Sequence, residues 1–277
     1  MLPWNYGFHW NLAHVIFLGA FYCVLTAVAA TVIAAVRRAR RALLQNCVEA
    51  VAWHADFHDL PARDRVCRHV LTGELRAREC PHAFDCRECE THAKLTARHP
   101  LPEAGHAAED LLGMAFPLDR FYHRGHTWAH PEPDGTVTVG LDELGSRLLG
   151  TPDAADLPLP GARVEANGTA FRVHKRNADV RVLSPVDGEV VETGGADRGW
   201  YLRIKPAAAG EAAFRHLLRG AEVRPWLLCE MDRLQLALAA PEGAPTLADG
   251  GVPVADIAAC YPRADWDAVC GEMFLEP

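Results

Sequence analysis

Five stretches decide the fold: Phe121-Tyr-His-Arg-Gly-His-Thr-Trp128, Asp134-Gly-Thr-Val-Thr-Val-Gly-Leu141, Leu157-Pro-Leu-Pro-Gly161, Ser184-Pro-Val-Asp-Gly-Glu-Val-Val191 and Gly199-Trp-Tyr-Leu-Arg-Ile-Lys205. In and around them apolar and polar residues alternate over short runs, at 136–139, 163–165, 170–174, 180–183, 189–192 and 201–205. That period belongs to a half-buried strand. Gly, Pro, Asp and Asn between the runs supply turns, so residues from about 120 onward read as a compact, mostly-β domain. Helical patterns cover 141–149 and then 211–238, the second expected to break at Pro225 because proline lacks the amide donor. The tail, 239–277, is punctuated by Gly and Pro; it contains Cys260 and Cys270 and no recognisable chemistry.

In their order and spacing these motifs resemble the H protein of the glycine cleavage system, over about residues 120–235. The resemblance implies a lipoyl-type fold, a flattened barrel-sandwich of two small β-sheets, here with C-terminal helices. In that family a hairpin lysine is lipoylated, and its arm shuttles an aminomethyl group between partner enzymes. The lysine stands seven residues before the Ser or Ala of the Ser-Pro-Val-x-Gly motif, which here is Asn177. An amide nitrogen cannot form the lipoyl linkage, so the resemblance implies a domain without lipoate at the family position. Lys175 lies two residues away on the same face of a strand and is the alternative attachment point if the hairpin tip re-forms around it. Otherwise it is an exposed charge beside Arg176. The link from Val191 to Gly199 is shorter than the family usually has, so partner-docking surfaces are expected to differ too. His126 precedes Trp128 as a family His precedes its Trp; His126 therefore reads as structural and Trp128 as core, and His123, His126 and His130 are not read as a metal site.

Toward the N-terminus, residues 12–36 hold His14 as the only ionisable group besides the essentially neutral Tyr22 and Cys23. As a helix these 25 residues span roughly 37 Å, enough to cross a bilayer. Their Leu, Ile, Val and Phe residues favour insertion by roughly 4–7 kcal/mol. A buried helix of a soluble domain would show a polar face, and a cleaved signal peptide would have basic residues before the apolar run. Here Arg37, Arg38, Arg40 and Arg41 follow it, a stop-transfer flank. The positive-inside rule then places residues 1–11 outside, with Trp4, Tyr6 and Trp10 as interfacial aromatics, and the remainder in the cytoplasm of a bacterial inner membrane. Residues 37–63 are expected to continue as a juxtamembrane helix, and the Pro-containing stretch 98–119 reads as a linker to the 120–238 domain.

Between them, residues 64–97 form a Cys/His-rich segment. Cys67, Cys80, Cys86 and Cys89 have the spacing C-x12-C-x5-C-x2-C, with His69, His82 and His92 nearby. Four thiols in a reducing compartment suit a tetrahedral zinc ion or an iron–sulfur centre, and the segment has too few large apolar residues to form a core unaided. A redox-active thiol pair and plain reduced cysteines are the alternatives. Cys23 and Cys229, in apolar surroundings, read as small packing residues.

The chain has 277 residues, 49% of them hydrophobic, and a net charge of −8. Residues 1–36 carry no charge and the four arginines that follow carry four positive ones, leaving −12 from Ala42 onward. Such a body repels phosphate backbones, which argues against nucleic-acid partners. No dinucleotide, P-loop, nucleophile-elbow or zinc-protease motif occurs, so no catalytic residues and no enzyme activity are expected. The expected function is a membrane-anchored, H-protein-like docking or carrier-like subunit whose partners are the bilayer and other subunits of a membrane complex. The alternative is an iron–sulfur or zinc-containing electron-transfer or redox-sensing subunit, and a purely structural role for both modules is the plainest reading.

Overall fold

The computed structural model describes residues 11–44, 62, 65–98, 108–175, 178–238 and 252–275. The chain divides into two units, Met1–Cys47 and Val48–Pro277. In the first, helix α1 (Leu12–Leu44) starts at Asn11, whose side chain accepts from the His14 amide at 3.0 Å, a standard N-cap use of Asn. Leu12–Ala34 is long and apolar enough to cross a membrane, and none of it is buried. Thr26 and Thr31 turn their hydroxyls back onto the carbonyls of Tyr22, Cys23 and Val28 at 2.7–2.9 Å, so neither presents an unpaired polar group to an apolar medium. One helix runs through the expected span and into the juxtamembrane stretch as far as Leu44; residues 45–61 lie outside the described residues.

The second unit opens with the Cys segment, which holds α2 (Arg68–Leu71) and α3 (Glu90–Arg98). A hairpin of β1 (Ala108–Leu111) and β2 (Met114–Pro117) follows. This corrects the reading of 98–119 as a linker: Met114 and Phe116 are core residues. Leu112 and Gly113 both have positive φ, 57° and 71°, the two-residue turn that matches strand twist.

Next come β3 (Phe121–Tyr122), β4 (Thr127–Pro131), β5 (Val137–Leu141), α4 (Glu143–Leu149), β6 (Ala154–Asp156), β7 (Arg163–Val164), β8 (Thr169–Lys175), β9 (Ala178–Leu183), β10 (Gly188–Gly195) and β11 (Trp200–Pro206). They form an antiparallel six-stranded sheet, β3-β4-β5-β11-β10-β7, and a three-stranded sheet, β6-β8-β9. Inward side chains of both enter one core; Phe171 of β8 stacks on Tyr201 of β11 with ring centroids 4.5 Å apart. This is the strand-rich barrel-sandwich with C-terminal helices that the sequence implied.

Gly140 faces Trp128 across β4 and β5, and a Cβ there would lie 2.5 Å from the indole ring. Gly140→Ala is therefore expected to destabilise the unit by about 1–3 kcal/mol through overpacking, read as a lowered urea midpoint at unchanged slope.

Helix α5 (Val223–Leu238) starts after a 3₁₀ turn at Gly220–Glu222. Pro225 does not break it, because the third position of a helix has no intrahelical use for its amide. Two short helices, α6 (Ile257–Cys260) and α7 (Trp266–Met273), belong to the tail in which the sequence shows no recognisable chemistry. Ile257, Met273 and Phe274 are fully buried in the main core, so residues 252–275 complete the domain.

Candidate functional site

The β8–β9 hairpin pairs Lys175 with Ala178 at its tip; Asn177 lies outside the described residues. Lys175 is committed to its neighbours. Its ammonium donates to the Thr151 carbonyl at 2.6 Å and to Asp256 Oδ2 at 3.3 Å, and its side chain is only 12% exposed. Asp256 also caps α6 through the Ala259 amide at 2.9 Å. Beside this pair a cavity of about 260 Å³ is walled by Leu148, Leu149, Trp266 and Cys270. Asp256, from the C-terminal residues, thus holds Lys175 in place.

Cys67, Cys80, Cys86 and Cys89 are all buried and all free thiols. An antiparallel bridge between Val66 and Glu79 is held by the Cys67 amide on Arg78 O, 2.9 Å, and the Cys80 amide on Arg65 O, 2.7 Å. Cys86 and Cys89 form a tight turn, with the Cys89 amide donating to Cys86 O at 3.3 Å. The four share one locale: Cys67 feels the charge of Cys80 and Cys89, and Cys86 that of Cys80 and Cys67. Burial pushes the Cys86 thiol up to about 12 and raises that of Cys67. Among the described residues, no three His, Cys, Asp or Glu side chains already stand in a metal-holding arrangement. Of the nearby histidines, His82 is exposed. His69 and His92 are buried and meet Nε2 to Nδ1 at 3.0 Å, with His69 Nδ1 on Glu74.

The segment is fastened to the β-domain by groups that sequence reasoning missed. Arg68, buried, forks onto the buried Glu222 carboxylate, with Nε to Oε1 at 3.1 Å and Nη2 on Oε2. It also donates to the carbonyls of Arg215 and Leu217, each at 2.9 Å. Arg124 donates to Val66 O at 2.6 Å and lies 3.9 Å over the Phe84 ring. Asn167 Nδ2 donates to Ala83 O at 3.3 Å, and Arg87 pairs with Asp187 of the Ser-Pro-Val-Asp-Gly loop. An acidic residue standing just ahead of an apolar helix, as Glu222 does, was the only signal available in the sequence.

His123, His126 and His130 do not converge. His123 donates from Nε2 to Asn167 Oδ1 at 2.7 Å and accepts from the Gly125 amide at Nδ1, 3.0 Å; burial pushes it down to about 3. His126 has φ +60° and lies between Asp142, 3.0 Å, and Glu230, 3.7 Å. Burial alone would depress it, but the two carboxylates push it up to about 9. His130 stands half-buried beside Asp119 and Glu132. Trp128 is buried and donates to Leu141 O at 2.8 Å.

Residues 120–222 match the family model for the glycine cleavage H-protein. A glycine cleavage system H protein of Neisseria meningitidis serogroup C is 36% identical over 104 residues, 33% of this chain and 81% of that protein. A glycine cleavage system H protein of Thermus thermophilus is 33% identical over 111 residues, covering 35% of this chain and 86% of that one. Among solved structures, a glycine cleavage system H protein from Mycobacterium marinum matches at 27% identity and a TM-score of 0.33, over 39% of this chain and 94% of that one.

Proposed function

Since the chain belongs to the glycine cleavage H-protein family, we propose that it serves as a membrane-anchored member that docks other proteins without carrying lipoate. The observation that carries this reading is the Lys175 ammonium, held by Thr151 O and Asp256, while the resemblance puts the family's lysine position at Asn177. Amide formation with lipoate needs a free, accessible amine, and the nearest one is tied into the fold. In this reading α1 crosses the inner membrane once with the N-terminus outside, the 48–277 unit faces the cytoplasm, and the protein catalyses nothing itself. Its partners are protein subunits of a membrane complex, and nucleic acid is not among them.

The test is the intact mass of the protein extracted by detergent from carbonate-washed membranes of its own host. The mass of the unmodified polypeptide is expected. Lipoate mapped to any lysine would restore the carrier role, and recovery in the soluble fraction would remove the anchor.

A further inference from the structure

We propose that Cys67, Cys80, Cys86 and Cys89 close around one structural zinc ion, which clasps the 65–98 segment onto the β-domain. Flanking the Val66–Glu79 bridge, Cys67 and Cys80 stand opposite Arg78 and Arg65, which puts both on one face of the strand pair and diagonal to each other. Diagonal neighbours are about 7–8 Å apart. That is too far for a disulfide without backbone movement and within reach of a single ion bound to both sulfurs at about 2.3 Å. The 86–89 turn supplies the second pair of thiols to the same locale. The ion would draw the four side chains into a set that they do not form without it.

Two further observations ask for such a bond. The small core of the segment consists of Cys80, Ala83 and Phe84 with Leu183 and Leu275 of the domain beneath; without a metal, cysteines take the place of the large apolar residues that a core needs. Between the two pairs of thiols, Ala83 and Phe84 both occupy the left-handed region, φ 47° and 61°. A non-glycine residue there is strained and persists only where the surroundings over-determine it. A chelate ring closed by Cys80 and Cys86 does that. The site has four thiolates and no open position, the pattern of a structural rather than a catalytic ion. Buried Arg124 stands beside it and offsets part of the negative charge of a four-thiolate complex, while the charge of Arg68 is already taken by Glu222.

The experiment uses the full chain purified in detergent from its own host without added metal. Elemental analysis is expected to give about one zinc per chain, and X-ray absorption at the zinc edge a sulfur-only shell at about 2.3 Å. Cys86→Ser and Cys89→Ser are each expected to lower the zinc content at least several-fold. Because such variants can fail to fold, the wild-type chain is also tested directly: the four cysteines should resist alkylation until a chelator is added, whereas Cys260, exposed and outside the site, reacts in both conditions. Iron with acid-labile sulfide, a zinc shell of nitrogen or oxygen, or a metal-free chain would each overturn the proposal. None of these outcomes bears on whether Lys175 carries lipoate.

Discussion

Glu222→Leu is expected to destabilise the 48–277 unit by about 3–5 kcal/mol, the cost of leaving one member of a buried ion pair without its partner. Arg68 would keep its two bonds to the carbonyls of Arg215 and Leu217 but lose the carboxylate that neutralises it inside the protein. The same change removes the acceptor of the Arg219 amide at 3.2 Å, which shapes the turn leading into α5. The double variant Arg68→Met/Glu222→Leu should recover most of the loss, since replacing a whole buried pair by apolar residues is often neutral or better. Urea unfolding followed by tryptophan fluorescence measures both. A single-variant cost below about 1 kcal/mol, the range of exposed pairs, would show that the segment is not fastened through this contact.

Acid is expected to weaken the unit nearly as much. His123 and His216 are both buried and held neutral; His216 donates from Nε2 to Pro185 O at 2.7 Å, and burial pushes it down to about 4. Their pKa values in the folded chain lie below the ordinary 6.5, so below that pH the unfolded chain binds more protons and stability falls as pH falls. At pH 5 each contributes a loss of about 2 kcal/mol, on the order of 4 kcal/mol together, set against a typical total of roughly 5–15 kcal/mol. His126 acts in the opposite direction. Its raised pKa stabilises fully below about 6.5, and that contribution is lost as pH rises through about 9. Denaturation midpoints at pH 5, 7 and 9 should therefore peak near neutrality and fall further on the acid side. A flat profile between pH 5 and 7 would mean that the two imidazoles are not buried neutral.

The barrel was legible because its strands are short apolar–polar runs, with β9 alternating in burial over its first residues, bounded by turn residues whose chemistry is local. The β1–β2 hairpin was not: its turn places Leu112 at a positive φ, a position where Asn, Asp or Gly would have announced it. Pro225 misled because the cost of a proline depends on its place in the helix, and the helix start is set by Glu222 and the preceding turn. The role of residues 252–275 is a tertiary fact. Their Gly/Pro punctuation is that of a loop, yet Ile257, Met273 and Phe274 fill space left by other elements. The same holds for the candidate site. Cysteine spacing marked the four thiols, whereas the Arg68–Glu222 and Lys175–Asp256 pairs join residues far apart in sequence, which no local pattern encodes.

Strand β5 finds its second sheet partner only in β11, whose residues are 200–206, whereas α1 is complete at Leu44. On a ribosome adding about 5–20 residues per second, on the order of 10–30 s separate the two events. The apolar helix is thus complete long before the barrel can close. During that interval the strands β3 to β10 emerge with open edges, the state in which β-rich chains are most prone to aggregate.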